Sequence, residues 1–181
     1  MMKELETERL VLRPFISSDL DDFYEYCRME TVGPNAGWAV HQNKEHSQNI
    51  LNGFIEKGDV LAVCLKNNGK VIGSVGLHEK ETETGDKHYE IGYVLSTPYE
   101  GQGYMTEAVK KVLENAFLER NIPEIFVCHF VENRKSRRVV EKCGFEYLRY
   151  IEYQTLNYGK RLSKFYHLTK DEFIKQMEEK K

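Results

Sequence analysis

The chain has 181 residues, of which 40% are hydrophobic and 30% are charged, and these values indicate one globular domain over residues 1–181 rather than a disordered or fibrous protein. Its formal net charge of −3 gives no general attraction for phosphate backbones or anionic lipid, so we expect neither nucleic acid nor membrane as a partner. The four cysteines lack metal-ligand spacing and the N-terminus lacks a signal-peptide core, so we expect a cytoplasmic protein with reduced thiols and no metal site.

The first third of the chain predicts one strand and two helices. Residues 7–13 alternate around Leu10 and Leu12 as a half-buried strand does. Ser17 or Ser18 can cap the first helix, in which apolar residues recur at offsets of three, four and seven from Leu20. Glycine and proline at 31–38 predict a loop before the second helix, which carries Ile50, Leu51, Phe54 and Ile55.

The middle of the chain predicts a β-meander followed by a long helix. Apolar runs at 60–65 and 71–77 flank Asn67-Asn68-Gly69, which is typical of a hairpin turn. A polar stretch at 79–86 leads to a third run at 88–95. The broad apolar face between Ala108 and Phe117 then predicts a helix that packs against a sheet.

The C-terminal part predicts a strand at 125–131, a short helix at 136–143, two aromatic-rich strands at 145–154 and 161–167, and a last helix opened by the capping box Thr169-x-x-Glu172. Together these elements predict a mixed α/β domain of the α+β type. Its central sheet is largely antiparallel, with six or seven strands and helices on both faces. The aromatic edge strands leave either a monomer or a homodimer open.

A glycine-containing turn, Gly101-Gln102-Gly103, separates the third meander strand from the long helix. The first amides of a helix are unpaired donors at its positive end, and glycines let a ligand approach the backbone, so this order suits a pyrophosphate. Taken alone the signal is weak, because glycine also serves ordinary turns. The segment is neither a Walker phosphate loop nor a Rossmann fingerprint.

Three segments in one order resemble the GNAT N-acetyltransferase superfamily. They are EIGYVL at 90–95, YEGQGYMTEA at 99–108, and N-x-x-S at 133–136 with EKCGF at 141–145. TERLVLRP at 7–14 also resembles the branch that includes bacterial ribosomal-protein N-acetyltransferases, so the resemblance covers nearly the whole chain. In the family pattern R/Q-x-x-G-x-G/A, Glu100 and Met105 depart from the usual residues, and a carboxylate or a larger side chain there predicts modest coenzyme affinity.

The resemblance implies a fold in which 89–95 and 125–131 diverge to admit acetyl-coenzyme A (acetyl-CoA) as co-substrate, with no metal. It implies that the backbone of Tyr93, Val94 and Leu95 pairs with the pantetheine arm like an added strand. The Leu95 amide would also act as an oxyanion hole. The pyrophosphate would lie on the turn and the helix start, formed by Gly101, Gln102, Gly103, Tyr104, Met105 and Thr106.

Asn133 resembles the residue whose side-chain amide meets the pantetheine or phosphate portion, and its alternative is a turn-forming role. Relatives carry a tyrosine as thiolate proton donor where this chain has Val140. Ser136 is the nearest replacement, and its alternative is a helix cap.

Attack on the thioester needs a neutral amine, and Glu90 is the candidate base. Partial desolvation would raise its pKa, whereas a surface glutamate paired with a lysine is an equally good interpretation. His88 and His129 are weaker candidates, because a lone histidine near a strand is more often structural. Trp38, Tyr24 and Phe54 fall in the region that covers the acceptor side in this fold.

Two functions follow from the resemblance. The first is N-acetyl transfer to a protein N-terminus or a small-molecule amine, by direct attack in a ternary complex. The second is a non-catalytic acyl-CoA-binding regulatory or scaffold module, which the departures at Glu100 and Met105 keep open.

Overall fold

The computed structural model describes residues 2–81 and 87–179. Within them, eight strands form one sheet in the spatial order β1-β2-β3-β4-β5-β6-β8-β7, and every neighbouring pair is antiparallel except β5 with β6. The strands are β1 Leu5–Glu6, β2 Leu10–Pro14, β3 Val60–Leu65, β4 Val71–Glu81, β5 Lys87–Leu95, β6 Glu124–Phe130, β7 Glu146–Gln154 and β8 Lys160–Thr169. The predicted mixed, largely antiparallel sheet is thus confirmed.

The helices are α1 Leu20–Cys27, α2 Gly33–Ala36, α3 Lys44–Lys57, α4 Tyr104–Glu114, α5 Arg134–Lys142 and α6 Lys170–Glu178. A π-helical segment, Asn115–Glu119, extends α4. The capping box of α6 is confirmed, because the Glu172 amide donates to Thr169 Oγ1 and the Thr169 amide donates to Glu172 Oε2. No helix among the described residues is both long and apolar enough to cross a bilayer.

Several local predictions need correction. The sheet has eight strands rather than six or seven, because a turn at Thr7, whose amide bonds Leu10 O at 3.0 Å, separates the short β1 from β2. The loop predicted at 31–38 contains α2, with Pro34 in its first turn, where the missing amide hydrogen costs no helical bond. Neither Ser17 nor Ser18 caps α1, because Ser17–Asp19 form a 3₁₀ helix before it. Asp19 is at the N-cap of α1, but its carboxylate accepts from the Ile16 amide at 2.9 Å and not from α1. Of the polar stretch predicted at 79–86, residues 79–81 belong to β4 and the rest lies outside the described residues.

Two hydrophobic cores lie on the two faces of the sheet. Successive side chains of β3 alternate between them, with Leu61 and Val63 on one side and Val60 and Ala62 on the other. The first core is covered by the apolar face of α4, which is the face predicted between Ala108 and Phe117. The second core is covered by α1 and α3, so a ligand that reaches between strands can contact both sides of the sheet.

The sheet opens between β5 and β6. All nine residues of β5 pair with β4, from Lys87 opposite Glu81 to Leu95 opposite Gly73. With β6, however, β5 pairs only at Tyr89 and Glu90. Beyond Glu90 the two strands diverge, as predicted, and β6 continues along β8 as far as Phe130. The edge of β5 from 91 to 95 therefore faces a cleft.

Candidate functional site

A cavity of about 990 Å³ occupies this cleft. One end is lined by the turn before α4, the start of α4 and the exposed side of α5, and the other end by aromatic residues of the α1–α3 region. Trp38 and Phe54 belong to that second end as expected, whereas Tyr24 lies outside the lining and directs its hydroxyl to Gln42 O at 3.5 Å. The volume reaches the upper range of small-molecule sites, so an extended ligand and a second substrate can share it.

The edge of β5 presents backbone groups to this cavity. The Ser96 amide donates to Ile72 O of β4 at 2.8 Å, so the Ser96 backbone faces β4. Because backbone groups alternate in direction along a strand, those of Leu95 and Tyr93 face the cleft. The Val94 carbonyl faces β4, where a Cβ on Gly73 would lie only 2.3 Å from its oxygen. The predicted pantetheine contact therefore fits the backbone of Tyr93 and Leu95, while that of Val94 is turned away.

The turn before α4 leaves helix amides available. Gly101 and Gly103 have φ of 77° and 83°, a region that favours glycine, and a Cβ on Gly101 would meet nothing within 4 Å. Among the described residues no side chain caps α4, and the Glu107 amide is the first to bond back, to Gly103 O at 3.0 Å. The amides of Tyr104, Met105 and Thr106 remain as donors at the positive end of α4, on the cavity wall. This geometry fits a diphosphate.

The N-terminal segment braces that turn through Glu107. Glu107 Oε1 accepts from Thr7 Oγ1 at 2.5 Å and from the Arg9 amide at 2.9 Å, while Oε2 pairs with the Arg9 guanidinium at 2.7 Å. Burial alone would raise the pKa of Glu107, but the hydrogen bonds from Thr7 and Arg9 outweigh it, so the pKa is lowered. The guanidinium also donates to Gln102 O at 3.0 Å and lies 4.3 Å from the centre of the Tyr104 ring. These contacts give the TERLVLRP segment a structural role beside the phosphate turn.

Gln102 does not line the cavity, in contrast to its predicted phosphate contact. Its side chain donates to Pro98 O at 3.2 Å, and its carbonyl accepts from Arg9. Gln102 thus shapes the turn from outside, while Gly101 and Gly103 on either side of it line the cavity.

The two departures from the family pattern have local compensation. Glu100 forms an ion pair with Lys135 of α5, so its charge is balanced where repulsion of a phosphate was expected. The Met105 side chain is 4% exposed and packs in the core beneath α4, so it does not crowd the turn. Lys135, Arg138 and Lys142 also line the cavity and add positive charge beside the α4 amides. Sequence reasoning missed these cations, although the run RKSRR at 134–138 carried the signal.

Asn133 and Ser136 open α5 on the other wall. Asn133 Oδ1 accepts from the Ser136 amide at 3.0 Å, so Asn133 is the helix cap and the alternative capping role of Ser136 is wrong. Ser136 Oγ instead lies 2.9 Å from the Tyr93 hydroxyl, which also donates to Ser136 O at 3.2 Å. Burial raises the pKa of Tyr93, so its hydroxyl stays protonated. Val140, at the place of the family tyrosine, is buried in the core.

Glu90 lies in the cavity wall but is not a free base. It is 8% exposed, pairs with Lys80, and accepts a weak hydrogen bond from Cys128 Sγ at 3.6 Å. Burial disfavours the Lys80 charge, but the hydrogen bond to Glu90 outweighs it and raises the pKa of Lys80. Burial, helped by the Glu90 charge, raises the pKa of the Cys128 thiol to about 12. The lysine partner was anticipated, and in this pair Glu90 is buried whereas the Lys80 side chain is 39% exposed.

Three of the six histidines are relevant to the search for a base, and each has a different environment. His129 is buried between Phe130 O at 2.8 Å and the Tyr166 hydroxyl at 3.1 Å, and burial lowers its pKa, which suits the structural role expected. His88 packs edge-on against Phe126 outside the cavity lining. His78, which sequence reasoning missed, lines the cavity, and its Nδ1 lies 2.8 Å from Asp59 Oδ2. The His78 Nε2 atom lies over the backbone of Gly76, which has no side chain. In the pairing of β4 with β5, His78 is directly opposite Glu90.

The cleft, the unpaired β5 edge and the open start of α4 agree with what comparison with known proteins finds. Residues 9–146 match the family described as acetyltransferase (GNAT) domain. This chain belongs to the GNAT acetyltransferase family. It is similar to the uncharacterized N-acetyltransferase YnaD of Bacillus subtilis, with 28% identity over 140 residues that cover 77% of this chain and 81% of YnaD.

Solved structures show the same GNAT fold. A GNAT-family acetyltransferase from Bacillus anthracis superposes with a TM-score of 0.83 and 25% identity, covering 93% of this chain and 99% of that one. A ribosomal-protein-S5-alanine acetyltransferase from Vibrio fischeri gives a TM-score of 0.74 at 22% identity, covering 95% of this chain and 99% of that one. The fold predicted from the sequence is therefore the fold of this enzyme family, and it is shared with a ribosomal-protein acetyltransferase.

Proposed function

We propose that this GNAT acetyltransferase moves the acetyl group of acetyl-CoA to a primary amine by direct attack in a ternary complex. The observation that carries the proposal is the continuity of the cleft from the unpaired edge of β5 to the uncapped start of α4. Such a cleft offers backbone partners to an extended amide-containing arm and charged donors to a diphosphate at its end.

The binding roles follow from position. The backbone of Tyr93 and Leu95 would hold the pantetheine arm, and Asn133 at the head of α5 would support it from the opposite wall. Gly103 and the amides of Tyr104, Met105 and Thr106 would hold the diphosphate, with Lys135 and Arg138 adding charge. Gly101 supports the turn through its left-handed conformation.

Acetyl-CoA, when bound, supplies the activated thioester. The Leu95 amide would donate a hydrogen bond to the thioester oxygen, where negative charge develops during attack. The Ser136 hydroxyl, held by Tyr93, would donate its proton to the departing sulfur and would take one back from water. Glu90 would receive the amine proton through water, provided that Lys80 moves away from it or shares the proton.

The acceptor is a protein N-terminus or a small amine. The likeness to a ribosomal-protein acetyltransferase favours the first, and an α-amine has an ordinary pKa of about 7.7–8.0, so part of it is already neutral near pH 7. We further propose a cytoplasmic location, because buried thiols such as Cys27 and Cys64 suit a reducing compartment. The alternative of a non-catalytic module loses support, since Glu100 is ion-paired and Met105 is buried in the core.

Two measurements on the purified protein test the proposal. Calorimetry should detect CoA binding, and a thiol-release assay with acetyl-CoA should give turnover with at least one class of peptide or small amine. Ser136→Ala should lower kcat more than the affinity for CoA. Binding without thiol release across a broad amine panel would establish the scaffold module instead, and failure to bind CoA would reject both functions.

A further inference from the structure

The end of the cavity away from the phosphate turn is aromatic. We name it the acceptor chamber, formed by Phe23, Trp38, His41, His46, Ile50 and Phe54. His41 is at its centre, with ring centroids 5.7 Å from Phe23, 5.2 Å from Trp38 and 4.5 Å from His46. Because Phe23 also packs edge-on against Phe54 at 5.8 Å, the chamber is a continuous aromatic surface.

The imidazole of His41 does not supply charge to this surface. It is 7% exposed, and its Nδ1 lies 2.7 Å from Ser47 Oγ. Burial, with a smaller effect of the His46 charge, lowers the pKa of His41 to about 4, so the ring is neutral near pH 7. The centre of the chamber is therefore uncharged under ordinary conditions.

Among the residues that the structure describes, the cavity also offers no unpaired carboxylate to a polycation. Its acidic lining residues, within the described ranges, are Glu90 and Glu100, and each is already paired with a lysine. Beyond the Lys135–Glu100 pair, Arg138 and Lys142 add positive charge at the opposite end. An aromatic face can hold one ammonium group by a cation–π contact, but the further charges of a polyamine would have to leave water without a partner.

We propose that the acceptor is a primary monoamine that carries an apolar or aromatic group beside its amine, either free or as the first residue of a peptide, and not a polyamine or an aminoglycoside. The apolar group would occupy the acceptor chamber while the amine points along the β5 edge toward Leu95. This inference rests on the proposed acetyltransferase function and narrows its substrate class.

An acceptor panel tests the inference with two readouts. The small amines are phenethylamine, isoamylamine, putrescine, spermidine and kanamycin, and the peptides are pentapeptides that begin with Phe, Leu, Ala or Asp. Thiol release gives kcat/KM for each, and calorimetry in the presence of CoA gives acceptor binding without chemistry. We expect apolar monoamines and Phe- or Leu-peptides to exceed spermidine and Asp-peptides by about tenfold or more in both readouts, since hydrophobic pockets discriminate by about 10–200-fold.

A variant pair separates the chamber from the rest of the surface. Ile50→Glu adds a carboxylate at the rim of the chamber, where Ile50 is 39% exposed, and should reduce the preference for apolar over polycationic amines about tenfold. Asn49→Glu adds the same charge at the neighbouring exposed position of α3 outside the lining, and should leave the preference unchanged.

Each outcome decides one of the two claims. Faster turnover of spermidine or kanamycin than of apolar amines, or an equal response to Ile50→Glu and Asn49→Glu, overturns the inference while acetyl transfer stands. Selective binding of apolar amines without any thiol release supports the chamber and rejects the proposed reaction.

Discussion

Replacing Glu107 by glutamine should weaken both folding and coenzyme binding. Glutamine retains one oxygen that can accept from Thr7 and from the Arg9 amide, but it loses the charge that pairs with the Arg9 guanidinium at 2.7 Å. Hydrogen bonds to charged groups contribute about 1.5–3 kcal/mol and exposed ion pairs about 0–1 kcal/mol. The side chains are 41% and 20% exposed for Arg9 and Glu107, so we expect a loss of about 1–2 kcal/mol in the free energy of unfolding.

The same change should reach the ligand, because Arg9 also holds Gln102 O in the phosphate turn. Without this contact the ligand has to order the turn when it binds, and the cost of ordering should weaken CoA affinity by about three- to tenfold. Urea unfolding and calorimetry measure the two effects. Glu114→Gln is the matched control on the same helix, since it breaks one partly exposed i,i+3 pair with Lys111 and should cost less than about 0.5 kcal/mol with no change in affinity.

The pH dependence gives an independent check on Glu107. The pKa of Glu107 is lowered from 4.5 in the folded protein, so the ionised carboxylate stabilises the fold. This contribution is complete at pH values above the pKa of the unfolded chain, and it is lost as the pH falls through the lowered pKa of the folded protein. The difference in stability between the native protein and Glu107→Gln should therefore shrink in acid. Equal losses for Glu107→Gln and Glu114→Gln, or a destabilised Glu107→Gln protein with unchanged CoA affinity, would refute the bracing role.

Three further changes test other parts of the site. Gly73→Ala should lower the free energy of unfolding by about 2 kcal/mol or more in urea, because the new Cβ would lie 2.3 Å from Val94 O. The control Gly53→Ala in α3 meets nothing within 4 Å and should raise the free energy of unfolding by about 0.5–1 kcal/mol. Similar effects of the two changes would contradict the close approach of β4 and β5. The free energy of unfolding should fall by a few kcal/mol as the pH drops from 6.5 toward 4, at about 1.4 kcal/mol per pKa unit, because only the unfolded chain protonates His41 in this range. His41→Phe should flatten this slope. An unchanged slope would contradict the lowered pKa of His41. Lys135→Ala removes a positive charge and should weaken CoA binding about tenfold at low salt in calorimetry, whereas Glu100→Gln removes a negative charge and should strengthen binding a few-fold. Stronger binding by Lys135→Ala and weaker binding by Glu100→Gln would place the phosphates elsewhere.

Regular periodicity made most of the fold predictable. The apolar runs at 60–65 and at 108–117 carry the periods of a buried strand and an amphipathic helix over enough residues to decide the element type. The strand and the α-helix missed were the two-residue β1 and the four-residue α2, which are too short to show a period. The cap of α1 was misassigned because Ser17 and Ser18 belong to a 3₁₀ helix that precedes α1. Asp19 follows them at the N-cap, with its carboxylate held by two guanidinium hydrogen bonds of 2.8 Å from Arg13.

The backbone elements of the candidate site were predictable, whereas their ligand roles stay predictions. The glycines at 101 and 103 are visible in the sequence, and the family resemblance pointed to residues 93–95, so the turn before α4 and the edge of β5 were found. Side-chain pairs that join distant segments were not: Thr7 and Glu107 are 100 positions apart, and Lys135 and Glu100 are 35 apart. The Asp59–His78 contact was not predictable for the same reason. The position of the α5 cations on the cavity wall also depends on how the elements pack and cannot be seen in the sequence.

The alternation of backbone direction along β5 has a measurable consequence for hydrogen exchange. The Ser96 amide is bonded to β4, whereas those of Tyr93 and Leu95 face the cleft, so protected and solvent-accessible amides should alternate within a few residues of one strand. A ligand that lies along this strand would slow exchange at every second residue only. Site-resolved exchange would thus report the direction and extent of the bound arm, one peptide group at a time, without any change in the fold.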